Sequence, residues 1–106
     1  MGAETFPGWV LDVLDDNVRR KLIESWRPVP GRGLVVIGAD MAERTLDAEQ
    51  ALGYVKGLED GAALTPGQAE DVALRGERPA VTGYGQGYQW GLASAACAVH
   101  DGEARR

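Results

Sequence analysis

Apolar side chains recur along this chain first at the spacing of a helix and then as a short continuous run. Leu11, Leu14, Val18, Leu22 and Trp26 follow one another at intervals of three or four, which aligns them on one face of a helix or of two short helices in succession. Asp15 and Asp16 interrupt the run. They suit a helix N-terminus, where carboxylates accept from free amides and meet the positive end of the dipole, so a break at Asp15 is expected. Pro28 disfavours helical backbone at Arg27, and Pro28, Pro30, Gly31 and Gly33 make the next stretch a turn-rich connection. Residues 1–8, with Gly2, Pro7 and Gly8, read as a loose lead-in from which Phe6 and Trp9 reach toward the core.

Leu34-Val35-Val36-Ile37 is a β-branched apolar run between two glycines, the strongest strand signal in the chain, and its continuity predicts burial on both faces. Residues 38–44 read as a loop. Thr45 then caps a helix from Leu46 to about Asp60, with Ala48, Ala51, Leu52, Val55 and Leu58 inward and Gly61 as its stop. Thr65-Pro66-Gly67-Gln68 combines capping-box spacing with proline at the first helical position, which predicts a helix over Pro66–Arg75 ending at Gly76. Pro79 to Thr82 reads as an edge strand and Gly83 to Gly87 as a flexible loop. Tyr88 to His100 is an alanine-rich central helix, and a polar tail, 101–106, frays after it.

Together these elements predict a single α+β domain, 1–106, of about four helices with a short two-stranded sheet pairing Leu34–Ile37 with Ala80–Thr82. An all-α fold is the alternative. Gly53, Gly57 and Gly61 stand four apart, as do Gly87, Gly91 and Ala95. Each stripe places small residues on one helix face and lets two backbones approach, so these two helices are expected to touch within one chain, with a homodimer seam as the alternative.

Composition narrows the chemistry. Sixteen acidic against eleven basic residues give a formal charge of −5, which disfavours a general phosphate-backbone binder. One cysteine, Cys97, and one histidine, His100, exclude an intrachain disulfide and a four-ligand zinc site of the usual kind. The start, MGAETFPGWV, lacks the basic and apolar regions of a signal peptide. The nearly apolar stretch from Trp90 to Val99 is about half of the ~20 residues a membrane span requires, so a cytoplasmic chain with no membrane partner is expected.

The charge is localised. Residues 1–32 carry five groups of each sign and residues 76–106 three of each, whereas residues 33–75 carry eight acids against three bases. Asp40, Glu43, Asp47, Glu49, Glu59, Asp60, Glu70 and Asp71 are therefore the candidate contact residues, either a solvated face or a field that steers a basic partner. They do not follow a calcium-loop pattern.

Gly83, Tyr84, Gly85, Gly87 and Tyr88 form a candidate ligand loop, since glycine amides before a helix can cradle an anion. The segment fits neither the dinucleotide fingerprint nor a P-loop, and its glycines equally serve tight packing of the tyrosines. Cys97 and His100 share a helix face, as a nucleophilic pair would, but a core thiol and a helix-capping histidine explain them as well. Arg19, Arg20 and Lys21 spread over about 200° of helix and cannot all meet one phosphate row. Trp26 and Trp90 have core-like contexts, while Trp9, Tyr84 and Tyr88 either pack or stand exposed for binding.

No catalytic residue, metal site or cofactor is predicted. The leading expectation is a non-enzymatic protein-binding module, an inhibitor or adaptor, monomeric or homodimeric, that offers its acidic residues to a larger protein with a basic surface, such as a nucleic-acid-handling or defence protein. A small-ligand or anion binder using the 83–87 loop is the second reading, and a DNA-binding regulator the third, with direct nucleic-acid contact disfavoured by charge.

Overall fold

A computed structural model describes residues 6–75 and 80–104. Seven elements follow in order: α1 (Gly8–Arg19), β1 (Ile23–Val29), β2 (Gly33–Gly38), β3 (Glu43–Leu46), α2 (Ala48–Ala62), α3 (Pro66–Arg75) and α4 (Gly83–Ala104). The α+β class is as expected, with four helices. The sheet is not two-stranded: it is an antiparallel meander of three strands in the order β1-β2-β3.

The first helix runs through Asp15 and Asp16 without a break and stops at Arg19. Lys21 takes a left-handed φ of 65°, and the amides of Lys21 and Leu22 bond back to the carbonyls of Val18 and Asn17 at 3.1 and 2.9 Å. That is a Schellman stop with lysine where glycine is the usual choice. The reversal puts Leu22 and Trp26 outside the helix, so the apolar spacing that continued through them passes into the turn and then strand β1. Trp26 pairs with Val36 across β1 and β2 and donates its indole N–H to Asp15 Oδ1 at 2.9 Å. Pro28 is accepted because β1 is an edge strand, where a missing N–H can face away from the ladder.

On the other side of β2, Leu34 faces Leu46 and Val36 faces Arg44. Leu34 and Val36 join the core with Leu14, Ile23 and Leu58. Strand β3 takes the place predicted for a loop, because pairing with β2 overrides its weak local pattern. Ala80, Val81 and Thr82 form no strand, so the expected pairing of Leu34–Ile37 with Ala80–Thr82 is replaced by β2 with β1 and β3. Pro79 and Gly76 lie outside the described residues.

Leu46 is committed to β3, and α2 starts two residues later than Thr45 would set it. Asp47 makes the capping box: its carboxylate accepts from the Gln50 amide at 2.8 Å, and Gln50 Oε1 accepts from the Asp47 amide at 3.0 Å. Thr65 and Gln68 repeat the device at α3, at 3.0 and 3.2 Å, on the residues the sequence singles out. Helix α4 begins at Gly83, where a flexible loop was expected, because Thr82 caps it; its Oγ1 accepts from the Gly85 amide at 2.9 Å. It continues to Ala104, past the point where the tail was to fray.

The two glycine stripes meet. A Cβ added at Gly53 would strike the Tyr84 carbonyl, one at Gly57 the Tyr88 carbonyl, and one at Gly61 would come within 2.6 Å of the Ala95 methyl. Reciprocally, additions at Gly87 and Gly91 would strike the carbonyls of Gln50 and Tyr54. Residue numbers rise together on both helices, so α2 and α4 run parallel. Glycine hydrogens lie against the opposing carbonyls, a geometry in which weak Cα–H···O contacts add to dispersion. A parallel pair needs a return path, and the segment containing α3, which packs on α4, supplies it.

Ser94, fully buried on α4, ties this pair to the sheet. Its hydroxyl donates to the Leu22 carbonyl at 2.6 Å and accepts from the Ala39 amide at 2.8 Å, and the buried Tyr54 phenol of α2 lies close by. Burial holds the Tyr54 phenol well above its ordinary range, so it stays a neutral hydroxyl.

Gly57→Leu must push the helices apart and should cost about 3 kcal/mol, seen as a large fall in melting temperature. Gly67→Ala, at a helical site with open space around the new methyl, should raise stability by about 0.5–1 kcal/mol. Ser94→Ala strands buried backbone groups on two elements and should cost about 1–3 kcal/mol in urea unfolding.

Candidate functional site

The acidic candidates divide by position along the fold. Asp40 and Glu43 sit at the β2–β3 turn and the start of β3, Asp47 caps α2, Glu49, Glu59 and Asp60 lie on α2, and Glu70 and Asp71 lie on α3. Two of them hold backbone amides: Asp47 in its capping box, and Asp40, whose Oδ1 accepts from the Ala42 amide at 3.2 Å. Glu49 and Asp60 are eleven residues apart, which turns them about 20° from each other around the axis and separates them by about 16 Å. They form a line along α2.

Lys56, which pairs with Asp60, also edges a groove that spacing alone does not locate. Trp9 and Val13 of α1, Leu52 and Val55 of α2, and Tyr84 of α4 give it apolar walls, and Lys56 and Glu59 close one edge; its volume is about 270 Å3. Trp9 is 55% exposed and Tyr84 40% exposed. Their convergence depends on α4 starting at Gly83, since a loop there would not hold Tyr84 against α2. The sequence signal was the position of Tyr84 one residue before Gly85 and three before Gly87, on the side of a helix turned toward Gly53.

The polar edge continues into a small network. Lys56 Nζ lies 3.3 Å from Glu59 Oε1 and 3.4 Å from Asp60 Oδ1. Tyr88 donates its hydroxyl to Asp60 Oδ2 at 2.7 Å. That bond, with help from Lys56, holds the Asp60 carboxyl below its usual value, and the same carboxylate holds the Tyr88 phenol above its own. The exposed Lys56 ion pairs contribute little to stability by themselves.

The remaining candidates are placed as follows. Of the five loop residues, Gly83 lies beside the Glu49 side chain, with its added Cβ 3.6 Å from Glu49 Cδ. Tyr84 enters the groove, the Gly85 amide is spent on Thr82, Gly87 is sunk against α2, and Tyr88 holds Asp60. Cys97 Sγ stands 3.8 Å from the Ala39 carbonyl and 3.7 Å from Asp101 Oδ2, so its one S–H has two alternative acceptors. Asp16 lies 3.2 Å from Arg19 and 3.7 Å from Arg20, so an acid sits inside the basic cluster, while Lys21 forms the helix stop. Trp90 packs partly against the core and carries Arg44 over its ring at 4.9 Å to the centroid. Among the described residues, no group of three His, Cys, Asp or Glu is arranged to hold a metal ion, and no helix is long and apolar enough to cross a membrane.

Tyr88→Phe should let the Asp60 carboxyl rise toward its ordinary value, observed by carbon-detected NMR titration. Because the folded carboxyl is depressed, its contribution is present above the unfolded value of about 4 and is lost as pH falls through the folded one. The gap in melting temperature between wild type and Tyr88→Phe should accordingly be wider at neutral pH than in strong acid. Compared with models of known protein families, with curated proteins and with solved structures, the chain matches none.

Proposed function

We propose that this chain is a non-enzymatic protein-binding module, an inhibitor or adaptor, whose contact surface is the α1/α2/α4 groove together with the acidic line along α2. One observation carries this: Trp9 and Tyr84, each substantially exposed, converge on one open groove edged by Lys56 and Glu59. Aromatic rings anchored at their backbones offer large contact area for little lost entropy, and they dominate the energetics of many interfaces. Glu49, Glu59 and Asp60 supply a field that favours encounter with a basic partner. Glycine-rich helix packing makes the support rigid, which lowers the ordering cost of binding.

A nucleic-acid-handling or defence protein is a suitable class of partner, because its own phosphate-binding surface is basic. The Gly83–Tyr88 segment supports an anion site less well, since the Gly85 amide is capped by Thr82 and Gly87 is filled by the α2 backbone.

Capture from native lysate with tagged wild type, Trp9→Ala/Tyr84→Ala and Glu49→Gln/Glu59→Gln/Asp60→Asn, quantified by mass spectrometry with melting temperatures in parallel, tests the assignment. The aromatic double variant should lose a specific partner more than about tenfold. The charge variant should lose it chiefly at low salt, as a steering effect does. A specific partner retained in full by both folded variants contradicts the groove as the contact surface.

A further inference from the structure

Resting on the protein-binding reading, the chemistry of the groove also limits what the partner inserts. We infer that the groove receives an arginine side chain from an exposed segment of the partner protein, with the stem over Val13, Leu52 and Val55 and the guanidinium between the Trp9 and Tyr84 rings and the Glu59 carboxylate.

Charge is the first argument. At the groove edge one cation, Lys56, stands between two carboxylates, Glu59 and Asp60, so one negative charge is uncompensated. Asp60 is additionally held by the Tyr88 hydroxyl at 2.7 Å, whereas the Glu59 side chain is 75% exposed with its carboxylate 3.3 Å from Lys56. Glu59, the more exposed of the two and the one that lines the groove, is thus the carboxylate that exchanges Lys56 for an incoming cation, while Lys56 retains Asp60. A purely apolar anchor would cover this edge without balancing it and would pay for desolvating the carboxylate.

Shape and surface are the second. An apolar floor suits the methylene stem of a long cationic side chain, which buries its carbons while its head stays at the polar edge. Both walls are aromatic, and guanidinium is the cation that stacks on aromatic faces, gives up its hydration most readily and meets a carboxylate in a fork. The more strongly hydrated lysine ammonium gains less from such walls.

The test is a two-dimensional NMR titration of the full 15N-labelled chain with capped peptides Ala-Ala-X-Ala-Ala, where X is arginine, lysine or the neutral isostere citrulline, alongside free arginine. With the arginine peptide, the Trp9 indole and the backbone amides of Tyr84 and Glu59 should shift, and the midpoint for citrulline should be at least about fivefold higher. Glu59→Gln should raise the arginine midpoint by a similar factor without changing the melting temperature, and Trp9→Ala should abolish the shifts. Equal midpoints for arginine and citrulline, no effect of Glu59→Gln, or no shift with any peptide overturns the arginine assignment. In that case the protein-binding reading still stands if Trp9→Ala/Tyr84→Ala loses a lysate partner, and falls if it does not. Free arginine binding as tightly as the peptide marks a small-molecule site and overturns the partner-segment assignment.

Discussion

The constraint on which the rest of this fold depends is the contact of α2 with α4 at backbone distance. Glycine inside a helix costs about 1 kcal/mol against alanine, and this pair retains Gly53, Gly57, Gly61, Gly87 and Gly91. Side chains at these positions would collide mainly with carbonyl groups of the opposing helix, which cannot rotate away as a flexible side chain can. The local cost is offset by dispersion along the seam and by weak contacts to those carbonyls. The parallel direction then dictates the connection: the chain must travel back along α2 before α4 can begin, which is the use of the segment containing α3.

The sheet attaches to that pair through a few polar ties and an apolar layer. Ser94 is the central tie, joining α4 to the start of β1 and the end of β2 while lying close to the Tyr54 phenol of α2. A serine suits the position because its single hydroxyl donates and accepts at once, satisfying one backbone carbonyl and one backbone amide that burial would otherwise strand. The same seam that brings Gly53 under Tyr84 leaves the Tyr84 ring on the open side of α2, opposite Trp9 of α1. The groove is therefore a by-product of close packing on the other side of the same turn of helix.

Much of this was legible from residue spacing. Thr65 and Gln68 announced α3, Leu34–Ile37 announced the central strand, and the four-residue glycine stripes announced the seam, because each depends on local periodicity or on a cap. What was not legible depends on contacts distant in sequence. Strand β1 carries Glu24, Arg27 and Pro28 and looks like the end of a helix followed by a turn; only pairing with β2 makes it a strand. Glu43–Leu46 has one buried residue and is likewise created by its partner. Gly83–Gly87 reads as a loop by propensity, yet the opposing backbone of α2 makes those glycines helical. The acidic candidates were visible as a charge imbalance, but their division among β3, α2 and α3, and the aromatic groove edged by Glu59, required the elements to be placed in space. Trp9, the exposed wall of that groove, follows directly on the segment 1–8 read as a loose lead-in, and spacing alone left it open whether it packs or stands exposed.

The function proposed for this chain therefore stands on the same packing as its fold, since Tyr84 and Glu59 face one groove only if α2 and α4 lie parallel in this register. Interhelical nuclear Overhauser effects from selectively labelled glycines measure that directly. The account predicts contacts from the Gly53 and Gly57 α-protons to Tyr84 and Tyr88 respectively, with Gly87 and Gly91 reaching Gln50 and Tyr54, so that residue numbers rise together on both helices. Contacts in the reverse order, joining Gly53 to the region of Ala95 and Gly61 to that of Tyr84, or no backbone contact between the helices, would contradict it.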